Sequence, residues 1–92
     1  MGFEWDAAKA KANVRNHGVR FEESRAVFDD PYAITIADDG ADQREERLVS
    51  MGMGALGRVL IVVYTYRGDN IRIISVRVAA AHERAEYEAG LS

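Results

Sequence analysis

The chain has 92 residues and contains no cysteine, a single proline and a single tryptophan. Without cysteine, neither a disulfide nor a thiolate metal site can reinforce a small core, a usage that fits a reducing cytoplasm. No apolar run approaches the ~18 residues of a membrane span. The N-terminus also lacks the basic-then-apolar pattern of a secretory signal. The expectation is a soluble, unprocessed cytoplasmic protein that does not engage a membrane. Histidine is scarce: only His17 and His82 are present. A symmetric two-histidine acid–base pair is therefore possible, but no spacing signals it.

Against these absences, 48% of the residues are hydrophobic. A chain of this size buries a little over ~60% of the surface its unfolded form exposes. That suffices for one real core, so residues 1–92 are read as one domain.

The net charge of −3 argues, as a bulk figure, against a nucleic-acid partner. Its distribution does not. Met1 to Met51 holds seven basic and eleven acidic residues. Gly52 to His82 holds Arg58, Arg67, Arg72 and Arg77 against Asp69 alone, a local charge of +3. From Glu83 onward one arginine faces three glutamates. A basic stretch in an acidic protein can still attract a phosphate chain, because potentials act over about ~8–10 Å. The plainer alternative is a solvated hairpin.

The segments read in order as two helices, four strands and a helix. Gly2 to Trp5 has room for a short strand. Asp6 is a good N-cap for the alanine-rich run Ala7 to Asn16, and Gly18 stands where a left-handed C-terminal residue is wanted. A second helix over Phe21 to Phe28 is stopped by Pro31. Tyr32 to Ala37 alternates Tyr32, Ile34 and Ile36 on one face, and Asp38 to Gln43 is a polar loop. Arg44 to Met51 reads as a strand with one wet face, followed by a turn at Gly52, Gly54 and Gly57. Arg58 to Tyr66 is nearly all β-branched or aromatic, as a central strand should be. It turns at Arg67-Gly68-Asp69 and returns over Asn70 to Val78, and Ala79 to Ala89 forms the last helix. The class is α+β, a small antiparallel sheet of about four strands with two N-terminal helices and one C-terminal helix.

Three groups of residues carry chemistry. Lys9, Asn13 and His17 are four apart on the first helix, forming a stripe that drifts about 40° per step. His17 beside Gly18 could equally cap the last carbonyls. On the hairpin, a three-residue turn sets Tyr66 opposite Asn70, Tyr64 opposite Arg72 and Arg58 opposite Val78. Arg72 and Arg77 then take opposite faces unless a bulge intervenes. Arg67 lies roughly 25–30 Å along the strand from Arg77, too far to share one phosphate. Arg58 and Arg77 lie at one end on adjacent strands, with Ser75 beside them, and as strand-end arginines contribute little to the core. Tyr64 and Arg72 could also be an ordinary cross-strand pair. The pairs Asp29-Asp30 and Asp38-Asp39 sit at turns without a third ligand, so no metal site is expected. His82 reads as a surface residue, and Glu46-Arg47 as an intrasheet ion pair.

The opening FEWDAAKAKANVRNHGVRFEESRAVFDDP, the Lys9/Asn13/His17-Gly18 stripe, Asp30-Pro31, the arginine after Tyr64-Thr65-Tyr66 and Arg72-Ile-Ile-Ser-Val-Arg77 together resemble the BrnT family. These are small ribonuclease toxins of bacterial toxin–antitoxin pairs, and the likeness runs from Phe3 to Tyr87. The resemblance implies a RelE-like fold and a metal-independent endoribonuclease without a cofactor. It also implies a BrnA-type antitoxin that covers the toxin in a hetero-oligomer and alone contacts operator DNA. Metal-free RNA cleavage uses the RNA's own 2′-hydroxyl as nucleophile. It needs a proton acceptor, a proton donor for the leaving oxygen and cations for the growing charge. The hairpin geometry makes the end with Arg58 and Arg77 the expected catalytic neighbourhood, to which the resemblance adds His17 and Lys9, and leaves Arg67, Arg72, Ser75 and Tyr64 to hold flanking nucleotides, the tyrosine as a stacking platform. Two departures stand out: Val76 replaces a small alanine, and Val78 replaces a basic residue. They keep open a second reading, a weakly active or inactive homologue that binds antitoxin or RNA.

Overall fold

Asp6 accepts the Lys9 backbone N–H at 3.0 Å and starts helix α1 (Ala7–His17). Gly18 ends it in the left-handed conformation, φ 67°, its N–H returning to the Val14 carbonyl. These are the caps expected from the sequence. In the computed structural model, which describes residues 2–38 and 46–91, α1 lies on a sheet of strands β1 (Phe3–Glu4), β2 (Ile34–Ala37), β3 (Leu48–Met53), β4 (Val59–Arg67) and β5 (Asn70–Val78). Helix α2 (Ala81–Ala89) follows β5. Most of the expected loop Asp38 to Gln43, and the expected strand residues Arg44 and Glu45, lie outside the described residues.

The sheet has five strands in the order β1-β5-β4-β3-β2, and it is mixed, not four-stranded and antiparallel as expected. The fifth strand is the short N-terminal one. It runs parallel to β5, Phe3 opposite Ile71, with the Gly2 carbonyl accepting the Ile71 N–H at 2.8 Å. Two residues give too little pattern to show pairing or direction in a sequence.

The second helix is a 3₁₀ helix, Phe21–Asp29, instead of an α-helix. Its sequence explains why. Phe21, Ser24 and Val27 are all fully buried, and only three residues per turn stacks i, i+3 and i+6 on one line. The Ser24 hydroxyl donates to the Phe21 carbonyl at 2.7 Å, which allows a polar side chain inside.

The central hairpin differs from the expected register in a way that matters for function. Its turn has two residues, Gly68-Asp69, between the paired Arg67 and Asn70. Gly68 has φ 57° and Asp69 does not have a positive φ, the pattern of a type II′ turn. Tyr64 therefore faces Ile73, and Thr65 faces Arg72. The register then slips between Val63 and Tyr64, leaving Ile74 as the extra residue of a bulge.

The sheet buries both faces, unequally. Under α1 and the 3₁₀ helix lie Leu60, Val62, Tyr64, Ile71, Ile73 and Val76, joined by Val19, Phe21 and Val27. Under α2, on the second face, lie Met51, Val59, Ile61, Ala79 and Tyr87. The Tyr87 hydroxyl donates to Asp30 at 2.5 Å, fastening α2 to the end of the 3₁₀ helix. Asp30 also accepts the N–H groups of Met53 and Tyr32. Burial pushes the Asp30 carboxyl up, but these bonds outweigh it and hold it below its ordinary range. The Tyr87 phenol, bonded to that carboxylate and buried, is pushed up to about 12.

Asn13 is the middle of the helical stripe and is buried, only 5% exposed. Its amide nitrogen donates to the carbonyls of Val19 (2.9 Å) and Val76 (2.8 Å), and its oxygen accepts the Val76 N–H at 3.1 Å. Beyond the two residues paired with β1, no strand among the described residues lies beside the outer backbone edge of β5. The Asn13 amide takes that place. Asn13→Ala leaves three buried backbone groups without partners, at about 1–3 kcal/mol each before relaxation or water. We expect urea denaturation to give a loss of about 3 kcal/mol. A midpoint equal to wild type would show that the amide is dispensable.

Candidate nucleic-acid interface

The bulge at Ile74 sets the faces of the arginine-bearing strand. Thr65 pairs with Arg72, Val63 with Ser75 and Ile61 with Arg77, so Arg72, Ser75 and Arg77 share the second face. Without the bulge, five residues of separation would have split the two arginines. By the same alternation Arg47, one residue before Leu48, takes the second face near Thr65. The Thr65 hydroxyl donates to the Glu46 carbonyl at 2.6 Å, and the Arg47 Nε is buried without a hydrogen-bond partner.

Arg72 and Arg77 each meet a carboxylate on this face. Arg72 Nη1 lies 3.3 Å from Glu4 on β1. Arg77 binds Glu83 with both terminal nitrogens, Nη1 to Oε1 at 2.7 Å and Nη2 to Oε2 at 2.9 Å. Glu83 Oε1 also accepts the Ala80 N–H at 2.8 Å, at the start of α2. The Arg77 bond, then that N–H, bring the Glu83 carboxyl down to about 2. The same bond holds the Arg77 guanidinium further up. Glu83 escaped the sequence reading; its signal was a glutamate in the first turn of a helix six residues after an arginine.

Arg58 takes the other face. Its Nη2 donates to Glu23 Oε1 at 2.7 Å and to the Gly18 carbonyl at 3.3 Å. Burial pushes Glu23 up, but the bonds from Arg58 and from the Arg20 N–H outweigh it and keep the carboxyl low. Arg58 and Arg77 thus share one end of the sheet, as expected, but their guanidinium groups do not converge. Each is bound to its own carboxylate on its own side. The expectation that Arg58 contributes little to the core is corrected too, because its partner Glu23 is buried.

Lys9 and His17 are exposed on α1, one turn to either side of Asn13, about ~6 Å along the axis. Since Asn13 is bonded to Val76, the stripe runs along the open margin of β5, where Ser75 and Arg77 are the neighbours of Val76. Tyr64 does not face Arg72. It is 3% exposed on the first face, its hydroxyl 2.8 Å from the Ser50 hydroxyl and its ring edge-on to Phe28 at 4.8 Å. No ring face is left for a base to stack on; exposed Tyr66, 5.9 Å away, offers one. Arg67 is exposed at the turn end, remote from Arg77. Asp30 is taken up by its three structural bonds, and Asp39 lies outside the described residues.

The chain matches the model of a family described as the ribonuclease toxin BrnT of type II toxin–antitoxin systems, over residues 5–83. That span is most of the sequence, and the chain belongs to this family. Among solved structures it is similar to the crystal structure of the Brucella abortus ribonuclease toxin BrnT, with a TM-score of 0.68 and 23% identity. The alignment covers 87% of this chain and 97% of that one. None of the curated proteins matches the sequence. No helix among the described residues is long and apolar enough to cross a membrane.

The Glu83–Arg77 pair gives a pH signature. The folded carboxyl titrates at about 2 against an ordinary 4.5. Its stabilisation is therefore complete above 4.5 and lost as pH falls toward 2. The difference in melting temperature between wild type and Glu83→Gln should be constant above pH 5 and shrink below about 4.5. A difference unchanged down to pH 2.5 would contradict the pairing.

Proposed function

We propose that this chain is a metal-independent endoribonuclease toxin of RelE-like fold, a single cytoplasmic domain neutralised by a BrnA-type antitoxin. In this reading the two proteins form a hetero-oligomer, and operator DNA is met only through the antitoxin. The observation that carries it is the common placement of Arg72, Ser75 and Arg77 on one sheet face, with the Lys9–His17 stripe following the margin of the same strand.

The chemistry follows from how Arg77 is held. Glu83 engages the end-on pair Nη1 and Nη2 and leaves the side-on pair, Nε and the second Nη2 hydrogen, for a phosphate. A guanidinium so fixed pays little reorganisation when charge grows on phosphorus. Ser75, two residues before Arg77, is a neutral donor to the same phosphate. Lys9 and His17 on the stripe supply the proton-transfer groups for the 2′-hydroxyl and the leaving oxygen, or clamp a neighbouring phosphate. Arg72 holds a flanking phosphate on the same face, and Arg67 contacts RNA at the turn end. Arg58 acts by positioning: it ties the end of α1, beside His17, to the start of β4 through Gly18 and Glu23. The exposed apolar Val78 at the end of β5 favours a second reading, a weakly active or inactive homologue that binds antitoxin or RNA.

RNA cleavage by the purified chain in EDTA tests the proposal. Arg77→Ala should lower turnover about 100-fold, on the order of 3 kcal/mol of transition-state stabilisation, while lowering the melting temperature no more than Glu83→Gln does. Arg58→Ala should lower melting temperature, since it strands a buried carboxylate. Full turnover by Arg77→Ala would remove this arginine from the site. Antitoxin binding without cleavage, with or without Mg²⁺, would favour the inactive homologue.

A second expectation separates roles for His17. If it transfers a proton, His17→Gln should lower turnover and remove one limb of the pH–rate profile, with little change in melting. If it only caps α1, stability should fall and the profile keep its shape.

A further inference from the structure

The two faces of the sheet are not equally covered. On the second face α2 reaches the lower half of β3 and β4, and beside it lies a groove of about 320 Å³. Its apolar wall and floor are Ile34, Ile36, Val49, Met51 and Ile61. Ile36 is 61% exposed, a β-branched side chain in water on a strand whose four residues are all exposed. The opposite rim belongs to α2 and its approach: Arg77, Glu83 and Glu86. Arg77 and Glu83 neutralise each other, whereas Glu86 makes no ion pair among the described residues. The groove is thus apolar with one uncompensated negative charge on its rim.

We propose that this groove receives an amphipathic helix of the antitoxin, lying beside α2 with its apolar stripe on Ile34, Ile36 and Val49 and a lysine or arginine of its flank against Glu86. The proposal rests on the antitoxin partnership of a type II family, not on the cleavage chemistry. Three features select this occupant. A sheet face is ordinarily closed by a second layer, and this one is half closed by a helix, so a helix completes it. A strand added to the edge of β2 would extend the sheet sideways and leave the second-face side chains of Ile34, Ile36 and Val49 uncovered. A second copy meeting groove to groove about a two-fold axis would bring two acidic rims together, whereas a basic flank neutralises one. The occupant would also lie next to Arg77, so covering the groove and blocking the RNA-facing arginine are one event.

The test is calorimetric binding of the antitoxin from the same operon to wild type, Ile36→Asp and Glu86→Lys. Both positions are exposed and outside the cleavage machinery, so the free variants should fold and cut RNA as wild type does. Each should bind at least about tenfold more weakly. A lysine- or arginine-to-glutamate change in the antitoxin helix should restore binding to Glu86→Lys. Wild-type affinity in both variants would overturn the proposal. So would a free dimer that Ile36→Asp makes monomeric, which would assign the groove to a second copy. Protection of the outer β2 amides from hydrogen exchange in the complex would assign the edge to an added strand and overturn it too. If wild type fails to cut RNA while these variants lose the antitoxin, the ribonuclease reading falls and this one stands. If RNA is cut and both variants keep their affinity, the reverse holds.

Discussion

The side-chain amide of Asn13 is the constraint on which the rest of the structure depends. A primary amide is the one uncharged side-chain group that can offer a donor and an acceptor side by side, as a peptide does. Here it pairs with the N–H and C=O of Val76 and so stands in for a strand that the sheet lacks. Its second donor reaches the Val19 carbonyl, tying down the chain just after α1, from which the 3₁₀ helix departs. One side chain thus fixes the helix on the sheet, the margin of β5 and the path into the next helix. Asp could accept the Val76 N–H but donate to neither carbonyl, and Leu could do neither. The consequence is positional: Lys9 and His17 lie along the margin of β5 because Asn13 between them is anchored there.

The bulge at Ile74 is the second fixed point. It changes the face of everything between it and the turn, relative to a regular ladder. With it, Tyr64 and Ile73 go to the core together, and Arg72 joins Ser75 and Arg77 on the other side. The two-residue turn and the bulge each move the register by one residue in the same direction, so that past the bulge the pairing is two residues from that of a three-residue turn and the faces coincide again. Ile61 on the second face and Tyr64 on the first are both buried as a result.

Much of the fold was legible because local chemistry dictated it. The Asp6 and Gly18 caps, the stop before Pro31 and the apolar run of β4 each reflect a strong, short-range preference. What escaped has a common cause in long-range pairing. β1 is two residues long and acquires its meaning only from β5, nearly seventy residues away in sequence. A bulge leaves no mark in a sequence where Ile73 and Ile74 look alike. The 3₁₀ helix was visible in retrospect, as Phe21, Ser24 and Val27, but Ser24 does not read as a core residue. For the site, the basic composition of the hairpin was legible and its faces were not. Tyr64, read as a stacking platform, is a core tyrosine with a hydroxyl partner in Ser50.

Two ion pairs of nearly equal length show why geometry alone does not assign a role. Arg58–Glu23 and Arg77–Glu83 both close at 2.7 Å. Glu23 is buried on the packed face, where losing the arginine would strand a charge in a poor solvent, so the pair is an obligation of the fold. Glu83 lies at the start of an amphipathic helix, with the Arg77 side chain 44% exposed, so solvent screens the pair and its contribution to folding is small. What the second pair supplies is orientation. A lone arginine at a strand margin samples many rotamers; one gripped end-on by a carboxylate, itself fixed by the Ala80 N–H, presents its remaining donors in one direction. Because the Arg77 side chain is partly exposed, a polyanion can compete for it without unfolding anything.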